Sequence, residues 1–532
     1  MLKVFTLLIL SIIFIRLLTV FFENIRRILT DNHNELINHN IDKQILVKIN
    51  ELDISYFDSP EYHNKINNVY NDGRALQELA FMVIQTIRSF FQIFSCFFIR
   101  FRVNTLMPII VILLIVPAVF IDNYVLKKRY AWERESTLER RKIIYIKSIL
   151  NGLQYAKDIR IFHTNKYFFD KYENQWEKWF TLKKAVYKNG TMLTAISQLL
   201  PNLAVYAILF FIGLKIINNE LTVGDFTFYN GITTQFVAGV TSLFASVNKA
   251  YESEKKLSNF FEFMQMNSNI DSNGTYKITS IQSIEFKDVS FKYPNTQKFV
   301  LNHLSFKLKS GKIAALVGEN GAGKTTIIKL ILRLYEPTDG TILINDINIK
   351  NIDIESLHKT IGVVFQDFNT YELKLREAVA ISDIDNLNKD KDIKLACDNA
   401  DFQIDSGRFI NGLNTYIGKN FDAEGVVLSG GERQKLSISA AYFKKCSYYI
   451  MDEPNSALDP IAENELVSKL LELSSGAGSF FITHKLSVMN LTDEIFVLKN
   501  GTIVESGSHE ALMGKNGVYK RLYTVQAEKY KY

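Results

Sequence analysis

Apolar segments about as long as a bilayer is thick recur in the first half of the chain, and they limit its fold more than any other feature. A helix that crosses a bilayer needs about 20 largely apolar residues. The segments of this kind are Val4 to Phe22, Phe81 to Ile99, Leu106 to Ile121, Met192 to Ile217 and Phe226 to Val247, the third a little short. The sequence therefore predicts an α-helical polytopic membrane domain with five visible spans.

The second half of the chain has a different character, because charged and apolar residues alternate there as in a soluble domain. A chain of 532 residues also exceeds what one hydrophobic core usually organises. We predict a membrane domain with two long cytosolic loops over residues 1–262, a linker over 263–280 and a second domain over 281–532.

Charge and cysteine content narrow the function further. The net charge is +6, with lysine and arginine spread along the chain, so no basic block indicates a nucleic-acid partner. Cys96, Cys397 and Cys446 lie far apart and form no CxxC pair. Neither a disulfide framework nor a zinc site is indicated, and a reducing cytosolic face suits these thiols.

A glycine-rich segment, GENGAGKT, fits the phosphate-loop pattern GxxxxGK[ST]. In such loops, backbone N–H groups converge on phosphate oxygens, the lysine reaches the outer phosphates and the final hydroxyl meets Mg²⁺. An apolar strand precedes the segment and an apolar helix, TTIIKLILRLY, follows it, as the motif requires. The residues predicted to bind a nucleoside triphosphate here are Gly318, Glu319, Asn320, Gly321, Ala322, Gly323, Lys324, Thr325 and Thr326.

A second motif, YYIMDEP, reads as an apolar strand that ends in two carboxylates, Asp452 and Glu453. Asp452 is predicted to hold Mg²⁺ together with Thr325, as in other phosphate-loop sites. Glu453 is predicted to polarise the attacking water, a general-base role that needs hydrogen-bond reach. A solvated turn is the alternative interpretation of two adjacent acids at a strand end.

The motifs and their order make the chain resemble the ATP-binding cassette transporters, and over nearly its full length it resembles an exporter half-transporter. The resemblance implies that residues 281–532 are the ATP-binding domain, an α/β P-loop NTPase cassette that follows the membrane domain. LSGGERQ, from Leu428 to Gln434, is similar to the family signature LSGGQ. The resemblance implies that Ser429, Gly430 and Gly431 face ATP held by an opposite cassette. A second half-transporter chain, in a homodimer or a heterodimer, is then required, with ATP and Mg²⁺ as cofactors.

The same resemblance assigns roles to single residues. Tyr293 in SFKYP matches the aromatic residue that stacks on adenine, and Asp459 in SALD matches the loop that crosses between cassettes. His484 in FFITHK matches the switch histidine that contacts the γ-phosphate. Gln366 in VVFQDF matches the glutamine that senses Mg²⁺. The implied catalytic set is Lys324, Gln366, Glu453 and His484, and the implied metal set is Thr325, Gln366 and Asp452.

Three positions depart from the family pattern. Glu432 stands where the signature usually has glutamine, Ala440 where the following helix commonly has arginine, and Asn455 where Thr or Ser usually follows DEP. None of these changes removes a ligand for phosphate or metal. We therefore still expect a hydrolytic site, and the three departures leave its rate and partner preference open.

Orientation follows because an ATP-using domain faces the cytosol. Counting back through the spans places both long loops, residues 23–80 and 122–191, inside the cell, and their lysines and arginines near the span ends agree. LDISYFDSP and GLQYAKDIRIF in these loops resemble the intracellular loops of exporters. We expect short amphipathic helices there that dock into cassette grooves near Gln366.

An odd number of spans places Met1 outside the cell, so we expect that a first helix is missing from this sequence. A cleaved signal peptide over residues 1–22 is the rival interpretation, although no small-residue cleavage site follows Phe22. Arg16 and Arg88 lie within apolar segments, where they either take part in transport or reach the interface.

Two functions from different classes remain. The first is ATP-driven export of a peptide, lipid or amphiphilic solute across the plasma membrane by a dimer with cytosolic cassettes. The second is a membrane-anchored ATPase with a regulatory or sensory role. Aromatic residues in the spans, among them Phe90 and Tyr206, either line an apolar cavity or face lipid.

Overall fold

The computed structural model describes residues 2–529 apart from positions 59, 101–105, 219, 269, 271–273, 295, 406, 454–468, 470–476, 484 and 485. Contacts divide the chain into two compact units. The first holds Met1–Lys48 and Asn64–Met266, and the second holds Ile49–His63 and Asn267–Tyr532. The predicted boundaries at residues 262 and 280 stay predictions.

The first part of the chain is helical. Its helices are α1 Leu2–Glu51, α2 Ile54–Phe57, α3 Pro60–Gly73, α4 Ala75–Arg100, α5 Leu106–Glu135, α6 Thr137–Asn151, α7 Ala156–Ile161, α8 Asn165–Ile217 and α9 Val223–Met264. Pro117 in α5 and Pro201 in α8 lie inside their helices. The Thr222 side chain begins α9 with a capping box, in which its hydroxyl accepts the Asp225 N–H.

Within the first unit, α4 packs along α9 and α5 packs along α8. The apolar core contains Cys96, Ile115, Ile208, Ile212, Ile232, Phe236, Val237 and Val240. Polar side chains join the same helices: the Gln85 amide donates to the Ser242 hydroxyl at 2.7 Å, and the Ser89 hydroxyl donates to it at 3.1 Å. Polar side chains that form hydrogen bonds across helices are typical of contacts between membrane helices.

Three helical segments among the described residues are long and apolar enough to cross a membrane: Lys3–Glu51, Asn68–Cys96 and Asn165–Ile217. They contain two of the five predicted spans in full and most of a third, Phe81 to Ile99. The other two predicted spans lie in α5 and α9, and part of the α5 segment falls outside the side chains that the structure describes. The most apolar stretch of α1 has none of its residues buried.

The second unit contains two sheets within its described residues. The strands are β1 Ser283–Phe291, β2 Leu301–Lys309, β3 Ile313–Gly318, β4 Asp339–Ile344, β5 Ile347–Asn348, β6 Ile361–Val364, β7 Tyr448–Asp452, β8 Gly478–Ile482, β9 Glu494–Lys499 and β10 Thr502–Gly507. The antiparallel sheet has the order β2-β1-β4-β5, and the larger sheet has the order β10-β9-β3-β8-β7-β6.

Strands β9, β3, β8, β7 and β6 of the larger sheet are parallel. All residues of β7 and β8 are buried, as expected for strands covered on both faces. Strand pairing aligns Tyr448 with Ile361 and Gly478. The carboxyl ends of these strands therefore meet along one edge, where open α/β sheets bind their ligands.

After α2, the described helices of the second unit are α10 Lys324–Ile331, α11 Ile354–Thr360, α12 Leu375–Ala380, α13 Asp390–Asn399, α14 Gly430–Phe443, α15 Leu486–Met489, α16 His509–Gly514 and α17 Val518–Lys529. Short 3₁₀ turns occupy Ile349–Asn351, Ile384–Asn386 and Gly412–Asn414. The apolar run after the phosphate loop predicted a helix as far as Tyr335, but α10 ends earlier. Arg333 adopts a left-handed conformation with φ of 52°, which stops the helix.

Residues 49–63 belong to the second unit, although residues of the first unit precede and follow them in the sequence. Asp53 is buried, and its carboxylate accepts hydrogen bonds from the Ser268 hydroxyl and from the Ile270 N–H. The Tyr56 hydroxyl donates to the Asn267 carbonyl at 3.0 Å, and the Tyr335 hydroxyl donates to Asp58. The described hydrogen bonds of α2 and its neighbours therefore involve Tyr335, and the predicted docking near Gln366 stays a prediction.

Candidate functional site

Strand order brings the predicted site residues together. The phosphate loop follows β3, Asp452 ends β7 with Glu453 directly after it, and Gln366 comes two residues after β6. Since β3, β8, β7 and β6 are neighbours in that order, their carboxyl ends form one continuous edge. Residues more than 130 positions apart in the sequence thus converge on one cleft edge.

The phosphate loop is closed around the amine of its own lysine. Lys324 Nζ donates to the Gly318 carbonyl at 2.8 Å and to the Glu319 carbonyl at 3.2 Å. Gly321 and Gly323 have φ of 79° and 105°, and a Cβ on Gly323 would come within 2.8 Å of Leu301. Only glycine fits both demands at position 323.

Other loop residues are also fixed. The Ala322 N–H donates to the Glu319 carbonyl, and Asn320 is exposed at the rim of the loop. The Glu319 carboxylate accepts a hydrogen bond from Arg521 of α17 at 3.2 Å. Burial lowers the pKa of Lys324, whereas the nearby carboxylates of Glu453 and Asp452 act in the opposite direction.

Thr325 and Asp452 form a preorganised oxygen pair. The Thr325 hydroxyl donates to the Asp452 carboxylate at 2.9 Å, and Asp452 is only 2% exposed. Burial raises the pKa of Asp452, the Thr325 hydrogen bond lowers it and the neighbouring Glu453 raises it. A buried carboxylate beside a hydroxyl is a hard-oxygen arrangement that suits Mg²⁺.

Glu453 lies in a conformation that is rare for a residue with a side chain. Its φ is 46°, and its carboxylate accepts a hydrogen bond from the Gln366 amide at 3.1 Å. Strained backbone of this kind clusters at functional sites, because the surrounding structure must hold it. The side chain is partly exposed, so water has access to the carboxylate.

Tyr293 lies at the side of the loop. Its hydroxyl is 3.0 Å from the Thr326 hydroxyl, and its ring packs edge-on against Tyr335 with centroids 5.3 Å apart. Lys329 Nζ lies 5.2 Å from the Tyr293 ring centroid and 5.4 Å from that of Tyr335. Contacts with Thr326, Tyr335 and Lys329 therefore help to position the Tyr293 side chain.

The signature segment forms the start of a 14-residue helix, α14. Ser429 is its N-cap: the Ser429 hydroxyl accepts from the Glu432 N–H at 3.2 Å, and the Glu432 carboxylate accepts from the Ser429 N–H at 2.7 Å. Ser429 and Gly430 are exposed and Gly431 is partly so. Their N–H groups and the helix dipole give this end a partial positive charge.

Two predicted residues, His484 and Asp459, lie outside the described residues, as does Asn455. The structure also identifies residues that the sequence did not indicate. Tyr335 and Asp58 are 277 positions apart and touch, and Arg408 contacts Glu432 of the signature. Neither contact has a local sequence signal, because each depends on the tertiary fold.

Comparisons with known proteins agree with this geometry. Residues 3–240 match the family described as ABC transporter transmembrane region, and residues 301–456 match the family described as ABC transporter. The subtilin transport ATP-binding protein SpaT of Bacillus subtilis is 31% identical over 499 residues, which cover 91% of this chain and 79% of that protein.

Two further matches extend the comparison. An ATP-dependent lipid A-core flippase of Haemophilus influenzae is 33% identical over 349 residues, 64% of this chain and 58% of the flippase. The solved structure of a bacterial Atm1-family ABC exporter with ATP bound has a TM-score of 0.83, with 21% identity, and covers 96% of this chain and 88% of its own. At that identity the likeness concerns the fold.

Proposed function

We propose that two copies of this chain, which belongs to the ABC transporter family, export an amphiphilic peptide. The chain is a multi-pass half-transporter that drives export with ATP, and its ATP-binding domain faces the cytosol. The observation that carries the cargo proposal is the match to a subtilin transport protein over 91% of this chain, which includes the membrane region. The flippase match covers 64% of this chain and supports a lipid cargo less.

The described residues fit a magnesium ion. We assign Mg²⁺ to the Thr325 hydroxyl, the Asp452 carboxylate and the side-chain oxygen of Gln366, because the first two already lie 2.9 Å apart and all three are hard oxygen donors. When bound, Mg²⁺ neutralises charge on the phosphates. Lys324 contributes a second positive charge from within the loop, and backbone N–H groups of the loop would hold the phosphate oxygens.

Hydrolysis needs a base that orients water. The Glu453 carboxylate takes this role in our proposal, because Gln366 holds it at 3.1 Å and because its exposed face admits water. The assignments of His484 to the γ-phosphate and of Tyr293 to the adenine ring complete the site within one cassette. Positioning and charge stabilisation then account for most of the catalysis.

The second copy supplies the other face of the site. Ser429, Gly430 and Gly431 of one chain, with Asp459 nearby in the family pattern, would contact ATP bound by its partner. One copy contains each of these motifs, so two identical copies make two complete sites. ATP favours the closed arrangement because it touches both cassettes there and only one when they are apart.

Two features suit the transmission of closure to the membrane. Asp58, just after α2, accepts a hydrogen bond from Tyr335, which packs against Tyr293 of the adenine site. A separate groove beside Gln366 is lined by Phe365, Phe368, Tyr371, Ile381 and Lys444, among others. That α7 docks into a groove near Gln366 stays a prediction, and it is in keeping with the exposure of Ile161, which ends α7, and of Phe162, which follows it, at 69% and 70%.

The decisive variant is Glu453→Gln. We expect ATP binding to persist while the turnover number falls by about 10³-fold, because the base is lost and the phosphate contacts remain. In inside-out lipid vesicles, ATP should drive uptake of labelled subtilin by the unsubstituted protein and not by the variant. Near-normal turnover in the variant would show that the base is misassigned.

The same vesicles test the rival interpretations. Uptake of a labelled lipid without uptake of the peptide would overturn the cargo proposal. ATP hydrolysis without either flux would favour a regulatory role. Native mass measurement of the purified protein should give two copies of this chain, and a single copy in the presence of Mg²⁺ and ATP would contradict the dimer.

A further inference from the structure

Glu432 creates an electrostatic problem at the signature. Its carboxylate lies in the first turn of α14, where it accepts the Ser429 N–H at 2.7 Å. A carboxylate there stabilises the helix. It also places a negative charge beside the N–H groups that, in the proposed function, meet a phosphate of the partner's ATP. Two like charges near one another disfavour binding.

Arg408 lies directly against this carboxylate. One terminal nitrogen of its guanidinium donates to Glu432, and the other donates to the Val427 carbonyl at 2.9 Å. The guanidinium thus joins the helix carboxylate to the backbone that leads into the signature. A planar fork is the geometry that holds two acceptors at once.

The backbone around Arg408 is well anchored. Phe409, the next residue, is buried and its ring packs edge-on against Phe402, with centroids 5.6 Å apart. On the signature side, Leu428 is buried beside the exposed Ser429. The two segments that carry the pair therefore share one apolar core, which fixes the distance between them.

Among the described contacts, the neighbouring cations Arg433 and Lys435 donate to groups other than Glu432. Arg433 donates to the Ser429 carbonyl at 3.4 Å, and Lys435 pairs with Asp401. Burial raises the pKa of Glu432, but hydrogen bonds from Ser429 and from Arg408 outweigh it, so the pKa is lowered. The carboxylate is therefore ionised at neutral pH and needs a counter-charge.

We propose that Arg408 is a positioning residue for ATP hydrolysis, whose guanidinium neutralises the Glu432 carboxylate and fixes the signature backbone so that the N-terminus of α14 can accept the γ-phosphate of ATP from the partner cassette. The inference rests on the proposed function of Ser429, Gly430 and Gly431. It also explains how this chain keeps glutamate where the family signature usually has glutamine.

Stability alone does not account for the pair. The Arg408 and Glu432 side chains are 46% and 32% exposed, and exposed ion pairs contribute little to folding. Loss of Arg408 should therefore act on nucleotide affinity and leave the thermal unfolding midpoint nearly unchanged. If Arg408 had a purely structural role, its loss would instead lower the thermal unfolding midpoint.

A double-mutant cycle in the full chain in lipid nanodiscs tests the proposal. Arg408→Ala should raise the KM for ATP by about tenfold, because an unneutralised carboxylate then faces the phosphates. Glu432→Gln should lower KM, since glutamine retains the capping box and leaves an unpaired guanidinium. In the double variant KM should return to within about threefold of the unsubstituted value, because both charges are removed together.

The same variants can be compared on a Glu453→Gln background, where no turnover occurs. Their affinities for a fluorescent ATP analogue with Mg²⁺ should then follow the same order as their KM values. Arg408→Lys keeps the charge but not the fork, so its KM should lie between those of the unsubstituted protein and Arg408→Ala. Equal KM values for Arg408→Ala and the double variant, or for Arg408→Ala and Arg408→Lys, would overturn the inference.

Lys324→Ala separates this inference from the proposed function. If Lys324→Ala binds the analogue as tightly as the unsubstituted protein, the proposed nucleotide site itself fails. If Lys324→Ala abolishes binding while Arg408→Ala leaves affinity unchanged, the proposed function stands and only the role of Arg408 is wrong.

Discussion

The two units of this protein differ in where their most apolar segments lie. In the second unit every residue of β7 and β8 is buried, whereas in the first unit the most apolar stretch of α1 has no buried residue. Water drives apolar side chains into a core, but lipid does not distinguish between a core and a lipid-facing surface. Apolar residues therefore stabilise the second unit by packing in a core away from water, whereas in α1 they can stabilise the first unit by facing lipid.

This difference decides how residues should be interpreted. In the second unit a partly exposed polar residue next to a strand end, such as Glu453, is a candidate for chemistry. In the first unit the informative residues are the polar ones that pair between helices, such as Gln85 and Ser242. Substitutions with the same chemistry should then have unequal effects in the two units.

A matched pair of leucines gives the largest expected contrast. Leu304 in β2 is fully buried and Leu10 in α1 is 64% exposed. Leu304→Ala should destabilise the second unit by about 3 kcal/mol through lost burial and a cavity. Leu10→Ala should cost about 0.5 kcal/mol, the difference in membrane insertion between the two residues.

The measurement is the thermal unfolding midpoint of each full-length variant in nanodiscs, with the same lipid for both. We expect Leu304→Ala to lower the midpoint by about 10 °C and Leu10→Ala to leave it nearly unchanged. A large loss for Leu10→Ala would break the comparison, because it would mean that a protein surface and not lipid covers this face of α1.

Residue patterns predicted much of the second unit. The family, the fold class and ATP-driven export are confirmed, and the predicted strands before the phosphate loop and before Asp452 are present as β3 and β7. These predictions succeeded because phosphate binding imposes residue types at fixed local spacing. The roles of the individual site residues stay predictions.

Tertiary contacts could not be predicted in the same way. Tyr335 and Asp58 meet across 277 positions, a contact that no local pattern of residues indicates. The end of α10 was also missed, because apolar periodicity continues past the left-handed Arg333. Such features depend on long-range packing and on a single backbone conformation, neither of which leaves a local pattern.

Tyr335→Phe tests how firmly residues 49–63 are held to the second unit. The change removes the hydroxyl that donates to Asp58 and keeps the ring that packs against Tyr293. A hydrogen bond to a charged group contributes about 1.5 kcal/mol or more. Hydrogen exchange of the Ile54–Phe57 amides, followed by mass spectrometry, should therefore become about tenfold faster.

Tyr519→Phe is the matched control for that experiment. Tyr519 is also a buried tyrosine of the second unit, and its hydroxyl lies 2.7 Å from His509 Nδ1. Its loss should leave exchange at Ile54–Phe57 unchanged. If both variants accelerate exchange equally, the effect is a general loosening of the unit and the Asp58 contact has no special role.

Ser242→Ala is expected to have the smallest effect, and it tests hydrogen bonding between helices within the first unit. The Ser242 hydroxyl joins Gln85 and Ser89 of α4 to α9, yet hydrogen bonds between membrane helices contribute on average only about 0.6 kcal/mol. Unfolding is followed in mixed micelles as the fraction of denaturing detergent rises, and the midpoint should fall slightly.

Ser95→Ala is the control, since the Ser95 hydroxyl donates to the Gln92 carbonyl of its own helix. This substitution should lower the stability less than Ser242→Ala does. A loss above about 2 kcal/mol for Ser242→Ala would mean that polar pairing, and not apolar packing in lipid, holds α4 to α9.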